Sequence, residues 1–121
     1  MFALWFLSEL CFDMPLSISE NTDYAYLIFE YLSVHYNQDI TVSSIAKELN
    51  FSTKQVQRII KGETGNTFLS ELTAHRMMIA DYLMKSTEMS LKEIAEHIGY
   101  KSYSGFWKAW QKYSYKKDNK N

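Results

Sequence analysis

The 121-residue chain has one cysteine (Cys11), one proline (Pro15) and four glycines. A single cysteine excludes an internal disulfide framework and any zinc site built from cysteines, and it suits a reducing compartment. So little glycine and proline argues against an all-β fold with its many turns. No apolar run reaches the ~20 residues of a membrane span. The amino-terminal stretch MFALWFLSELCFDMPL is broken at Ser8-Glu9, and it lacks the basic start and small-residue cleavage site of a secretory signal. There is no glycine-rich phosphate loop and no Ser/His/Asp arrangement. His35, His75 and His97 fall on different predicted helices without ligand-like spacing, so they are expected at the surface or at helix ends. No enzyme, no metal and no cofactor is expected.

Basic residues are missing from the first third of the chain. Residues 1–40 hold six acids and no Lys or Arg, whereas residues 41–121 hold all 13 basic residues against the other eight acids, a net +5. The overall charge of −1 hides this division. A basic block on a near-neutral chain points to an anionic partner, although a solvated surface with a lysine-rich tail gives the same count.

What is present is helical patterning, with a 46% hydrophobic fraction that suffices for a core. Residues 1–16 suggest an apolar helix (Phe2, Trp5, Phe6, Leu10) that packs on the chain's own core, forms a dimer contact or is the remnant of a missing domain; Pro15 ends it. Residues 17–22 read as a polar linker. From Asp23 to about Tyr36 a support helix places Tyr24, Leu27, Ile28, Tyr31, Leu32 and Val34 at helical spacing, with Asn21 or Thr22 as its cap. Helices follow at about 42–49 and 53–61, then a loop at 62–66. A long helix spans about 68–85, a rod of roughly 26 Å at ~1.5 Å per residue. Two more helices cover 91–98 and 103–113, and residues 114–121 read as a disordered basic tail. Met77, Met78, Met84 and Met89 are expected as core filler.

The stretch TVSSIAKELNFSTKQVQRIIK, Thr41 to Lys61, returns as SLKEIAEHIGYKSYSGFWKAWQK, Ser90 to Lys112. Ile45-Ala46, Leu49 and Phe51 match Ile94-Ala95, Ile98 and Tyr100 at an offset of 49; Ser52, Val56, Arg58 and Ile60 match Ser102, Phe106, Lys108 and Trp110 at an offset of 50. The second turn therefore holds one extra residue. Asn50 and Gly99 stand where a left-handed residue closes a helix. Ala46 is small enough for the next helix to cross close by. In the first copy Val56, Ile59 and Ile60 face inward and Lys54, Gln55, Gln57, Arg58 and Lys61 face outward. A Gln/Arg/Lys face behind a tight turn suits major-groove reading, since Arg can donate two bonds to guanine and Gln can bridge adenine.

Two helix-turn-helix units joined by a long helix resemble the DNA-binding domain of the AraC/XylS family of transcription regulators. The likeness runs from about Ile40 to Tyr113, through SSIAKELNFSTKQVQRIIKGETG, FLSELTAHRMMIADYLMKS and LKEIAEHIGYKSYSGFWKAWQKY. Its most specific parts are the twice-used IA-x-x-(G/N)-(F/Y) core, the E-T-G after the first reading helix, and Arg76 with Ala80.

The resemblance implies an all-α fold of about seven helices, here with the extra apolar amino-terminal helix. It divides the chain into a first subdomain at 23–66, a linker helix at 67–85 and a second subdomain at 86–113. It implies promoter-DNA binding with both reading helices in successive major grooves. By position, base contacts fall on Lys54, Gln57 and Arg58 in the first unit and on Tyr103, Ser104, Trp107 and Lys108 in the second. Phosphate contacts are expected from Ser43, Lys61, Lys92, Lys101 and Lys112. Structural roles fall to Ala46, Ala95 and Arg76, the last as an ion-pair partner. Double-stranded promoter DNA and RNA polymerase are the expected partners of a bacterial, cytoplasmic and nucleoid-associated monomer or helix-mediated homodimer.

Three departures from the family pattern stand out. Ser114-Tyr115-Lys116-Lys117 replaces the usual closing Gly, Pro and aromatic-Arg, so the closing short helix is expected to be missing. Gly105 costs the last helix roughly 1 kcal/mol relative to alanine and removes a side chain from its reading face. Trp107 is bulky where a small polar residue is usual. The second unit is thus expected to contact backbone and shape more than bases. Only about 20 residues precede the domain where most members carry a sensor, so a truncated regulator, a fragment and a small stand-alone binder all fit. The competing reading is an interaction protein that modulates a full-length regulator or polymerase through residues 1–16.

Overall fold

Ser or Thr hydroxyls start five successive helices in the computed structural model, which describes residues 20–119. The six helices among these residues are α1 (Glu20–His35), α2 (Val42–Leu49), α3 (Thr53–Thr64), α4 (Phe68–Ser86), α5 (Leu91–His97) and α6 (Tyr103–Asn119). The first N–H groups of a helix have no partner within it, and a hydroxyl at the cap accepts from one of them. Thr41, Ser52, Thr67, Ser90 and Ser102 do this for α2 to α6. Thr41 with Ser44 and Ser90 with Glu93 close reciprocal capping boxes. No strand occurs among the described residues. The apolar helix expected at 1–16 lies outside them.

The helices bury two separate cores. In the first, Ala25, Ile28 and Leu32 of α1 pack with Ile40, with Ile45 and Ala46 of α2, and with Val56, Ile59 and Ile60 of α3. The second joins Ile94, Ala95, Ile98 and Phe106. α4 serves both: Phe68 and Leu72 close the first core, while Met77 and Ala80 belong to the second. The linker helix is therefore a shared wall, and its halves face different neighbours. Tyr36, just past α1, packs against both cores.

The structure corrects several expectations. α1 begins at Glu20, so Asn21 and Thr22, expected as linker and cap, lie inside it. Leu27 and Val34 are exposed, and Ala25 takes the inward place. α3 continues through Gly62 to Thr64 and ends at Gly65, whose φ of 76° is the left-handed closure. Thr64 seals that end: its hydroxyl donates to the Ile60 carbonyl (2.7 Å) and accepts from the Asn66 N–H (3.0 Å).

The largest correction is at the other terminus. Residues 114–119, expected as disordered tail, extend α6. Lys117 holds them to α4, its Nζ lying 2.8 Å from Oδ2 of Asp81, which Lys85 also approaches at 3.3 Å. The hydrogen bond from Lys117 pulls the Asp81 carboxyl below its ordinary range.

His75 is buried, contrary to the surface or helix-end position expected of it. Its ring meets Tyr36 edge-on at 5.2 Å, and neither ring nitrogen has a hydrogen-bond partner among the described residues. Burial pushes its pKa below the usual histidine value. The folded state thus resists a proton that the unfolded chain accepts near pH ~6.5. Stability is expected to be full above that pH and to fall below it, by up to about 1.4 kcal/mol per pH unit from this group. Urea unfolding at several pH values checks this, and His75→Leu should flatten the dependence. An equally steep fall in that variant would assign it to other groups.

Candidate nucleic-acid interface

The two copies of the turn share their main bonds and differ in one, since the left-handed residue donates to the Ala46 carbonyl in the first and to the Glu96 carbonyl in the second. After α2, Asn50 is left-handed (φ 59°) and the Phe51 N–H donates to the Ala46 carbonyl at 2.8 Å. After α5, Gly99 takes that place (φ 103°) and the Tyr100 N–H donates to the Ala95 carbonyl at 2.9 Å. Ser52 then accepts from the Gln55 N–H, and Ser102 from the Gly105 N–H, both at 3.1 Å. Ala46 and Ala95 are buried where the following helix crosses.

This geometry turns the outer face of α3 to solvent. Lys54, Gln57, Arg58 and Lys61 are exposed at helical i, i+3, i+4, i+7 spacing, while Val56, Ile59 and Ile60 are buried behind them. No ion pair among the described residues engages Lys54, Arg58 or Lys61. The charges are held by one rigid element and are free to meet an anion.

The face of α6 differs in chemistry. Tyr103 and Trp107 are exposed and stack on each other, with centroids 6.2 Å apart and planes 18° apart. Ser104 and Lys108 lie beside them, also exposed. A Cβ at Gly105 would come within 3.1 Å of the capping Ser102 Oγ, so glycine suits the tight start of this helix. Gly105, Ala109 and Tyr113 line a groove of about 770 Å³ against Leu69, Thr73 and Met77 of α4. Lys108, Lys112 and Lys116 add charge along it. Sequence reasoning missed this groove and Lys116. The signal was there in lysines at four-residue steps, a row that runs past Tyr113, where the helix was expected to stop.

Among the residues expected to meet phosphate, Ser43 and Lys92 are exposed in the first turns of α2 and α5, at equivalent positions of the repeat. Helix amino termini favour anions there. Lys61 and Lys112 are also exposed. Lys101 instead lies 3.0 Å from Oδ2 of Asp39, an open pair worth about 0–1 kcal/mol. Arg76 makes no ion pair among the described residues, which corrects its expected role. Its Nε donates to the Tyr36 carbonyl (2.7 Å), its Nη2 donates to the Gln38 carbonyl (3.0 Å), and its guanidinium lies 5.4 Å from the Tyr100 ring centre. α1 ends at His35, so these carbonyls sit at the negative end of its dipole, where a cation is favoured.

Two capped helix-turn-helix units on a shared central helix define a double helix-turn-helix module. A helix-turn-helix domain model matches residues 45–114, and the chain belongs to the AraC-type helix-turn-helix family of transcription regulators. The Msm operon regulatory protein of Streptococcus mutans is 26% identical over 119 residues, covering 94% of this chain and 43% of that protein. The chain thus spans less than half the length of that relative. The carboxy-terminal domain of AraT, a response regulator from Geobacillus stearothermophilus, is 37% identical with a TM-score of 0.70, covering 80% of this chain and 78% of that one. The DNA-binding domain of AdpA, a global transcriptional factor solved with a target DNA, shares the fold at a TM-score of 0.68 and 19% identity, covering 73% and 79%.

Proposed function

We propose that the protein binds double-stranded promoter DNA in a sequence-specific way and regulates transcription, with α3 and α6 in successive major grooves and RNA polymerase as its protein partner. The observation that carries this reading is the exposed Lys54, Gln57, Arg58 and Lys61 face, presented by a turn that recurs at the start of α6. Arg58 and Gln57 are the base readers of α3, and Lys54 reaches a base edge or the adjacent phosphate. On α6, Ser104 and Lys108 supply polar contacts. Tyr103 and Trp107 fit base methyl groups and sugar edges, so α6 contributes register and shape more than base choice. Ser43, Lys61, Lys92 and Lys112 hold phosphates; Lys101 joins them by leaving Asp39.

Selection from a random duplex library at stated salt tests this. It should enrich two short motifs about 10 base pairs apart, and no enrichment over input would sink the proposal. Lys92→Ala and Lys112→Ala should each weaken selected and scrambled duplexes alike. Each should also lower the salt slope by about 0.9, read from binding isotherms at several salt concentrations. A loss confined to the selected duplex would make either lysine a base reader.

A further inference from the structure

We propose that Arg76, together with the turn of the second unit that it touches, fixes the register between the two reading helices, so that the protein measures the spacing of its two half-sites. This rests on the two-headed reading of DNA proposed above.

Three contacts between the units converge on residues 36–39, the connection between α1 and α2. The guanidinium of Arg76 bonds the Tyr36 and Gln38 carbonyls on one side and packs on Tyr100 of the second turn on the other. Gly99 approaches so closely that a Cβ there would lie 2.9 Å from the Asn37 carbonyl oxygen and 3.0 Å from Arg76 Nη2. Lys101 pairs with Asp39 at 3.0 Å. Lys101 is also the one residue of the second turn without a counterpart in the first. The place where the copies differ is the place where the second unit reaches back to the first.

Arg76 sits on α4 between Leu72, which belongs to the first core, and Met77, which belongs to the second. It is at the junction of the two cores, which α4 and Tyr36 also join. Arginine suits this place because its fixed fork can hold two carbonyls while its flat face rests on a ring, and a lysine ammonium cannot do all three. Since each head has its own core, loosening the clamp leaves each head intact and leaves their relative placement to α4 and Tyr36, which hold it less tightly. A rigid pair gains affinity from joint binding at one spacing only, whereas a loose pair spreads a smaller gain over several.

The test uses the full chain and duplexes that carry the two selected half-motifs at the optimal separation and with one or two base pairs added or removed. Wild type should bind the optimum at least about tenfold more tightly than its neighbours. Arg76→Ala should bind the optimum more weakly, bring the ratio between spacings towards one, and bind a duplex with a single half-motif as wild type does. Arg76→Lys, which keeps the charge and the stem, should flatten the profile in the same direction and serves if the alanine variant does not fold by circular dichroism. Asp39→Ala removes only a surface bridge and should give a smaller flattening. A wild-type spacing profile in folded Arg76 variants overturns the inference while leaving the DNA reading intact. A wild type that selects one motif only overturns the two-headed reading and this inference with it.

Discussion

Phe106→Ala is expected to cost about 3–5 kcal/mol of stability. The ring is fully buried in the second core, with Tyr100, Tyr103 and Trp110 around it at centroid distances of 5.9, 6.1 and 6.4 Å. Truncation loses the transfer energy of the ring and leaves a cavity that three large aromatic side chains cannot easily close. Domains of this size have only about 5–15 kcal/mol in total, so the second unit should lose its fixed packing near room temperature. Urea unfolding followed by tryptophan fluorescence checks this, because Trp107 and Trp110 lie on the same helix. A cost below about 1 kcal/mol would mean that the core is not organised around this ring. Phe106 is the counterpart of Val56, so the two copies fill one structural position with very different volumes.

Arg58→Ala is expected to have the largest effect on DNA binding with the least effect on folding. The side chain is exposed and in no ion pair among the described residues, so stability should change by no more than about 0.5 kcal/mol. Binding to the selected duplex should weaken by about 1–3 kcal/mol, roughly 5- to 150-fold, with preference relaxed at one base pair. Competition titrations with all four bases at each position measure both. A uniform weakening without relaxed preference would make Arg58 a phosphate contact, and no change would remove α3 as a base reader.

Much of the fold was legible in the sequence because its signals are local. Caps such as Thr41, Ser52 and Ser90 and the left-handed residues Asn50 and Gly99 act within one helical turn, so the residues themselves show the boundaries. The repeat then tied two distant stretches to one geometry. What was missed depends on distant partners. The extension of α6 brings Lys117 to Asp81, 36 residues away, and the buried His75 meets the ring of Tyr36, just past α1. Arg76 was legible as structural, but a pattern of residue types suggests a carboxylate for a guanidinium. Its actual partners are the backbone carbonyls of Tyr36 and Gln38 just past α1, and these carry no sequence signature.

The candidate interface divides along the same line. The exposed face of α3 follows from helical periodicity alone. The groove beside α6 needs α4 placed against it, and pairing between units through Lys101 and Asp39 needs both lobes placed. The resemblance to a family supplied the positions of contact residues but not these relations, because they depend on which side chains of distant elements meet.

Hydroxyl-radical footprinting of the wild-type protein on a duplex carrying the selected sequence tests the central claim most directly. Two heads on successive turns of the same DNA face should protect two patches about 10 base pairs apart, with the α3 patch coinciding with the positions that Arg58→Ala relaxes. A single protected patch, or two patches on opposite faces of the duplex, would contradict the account.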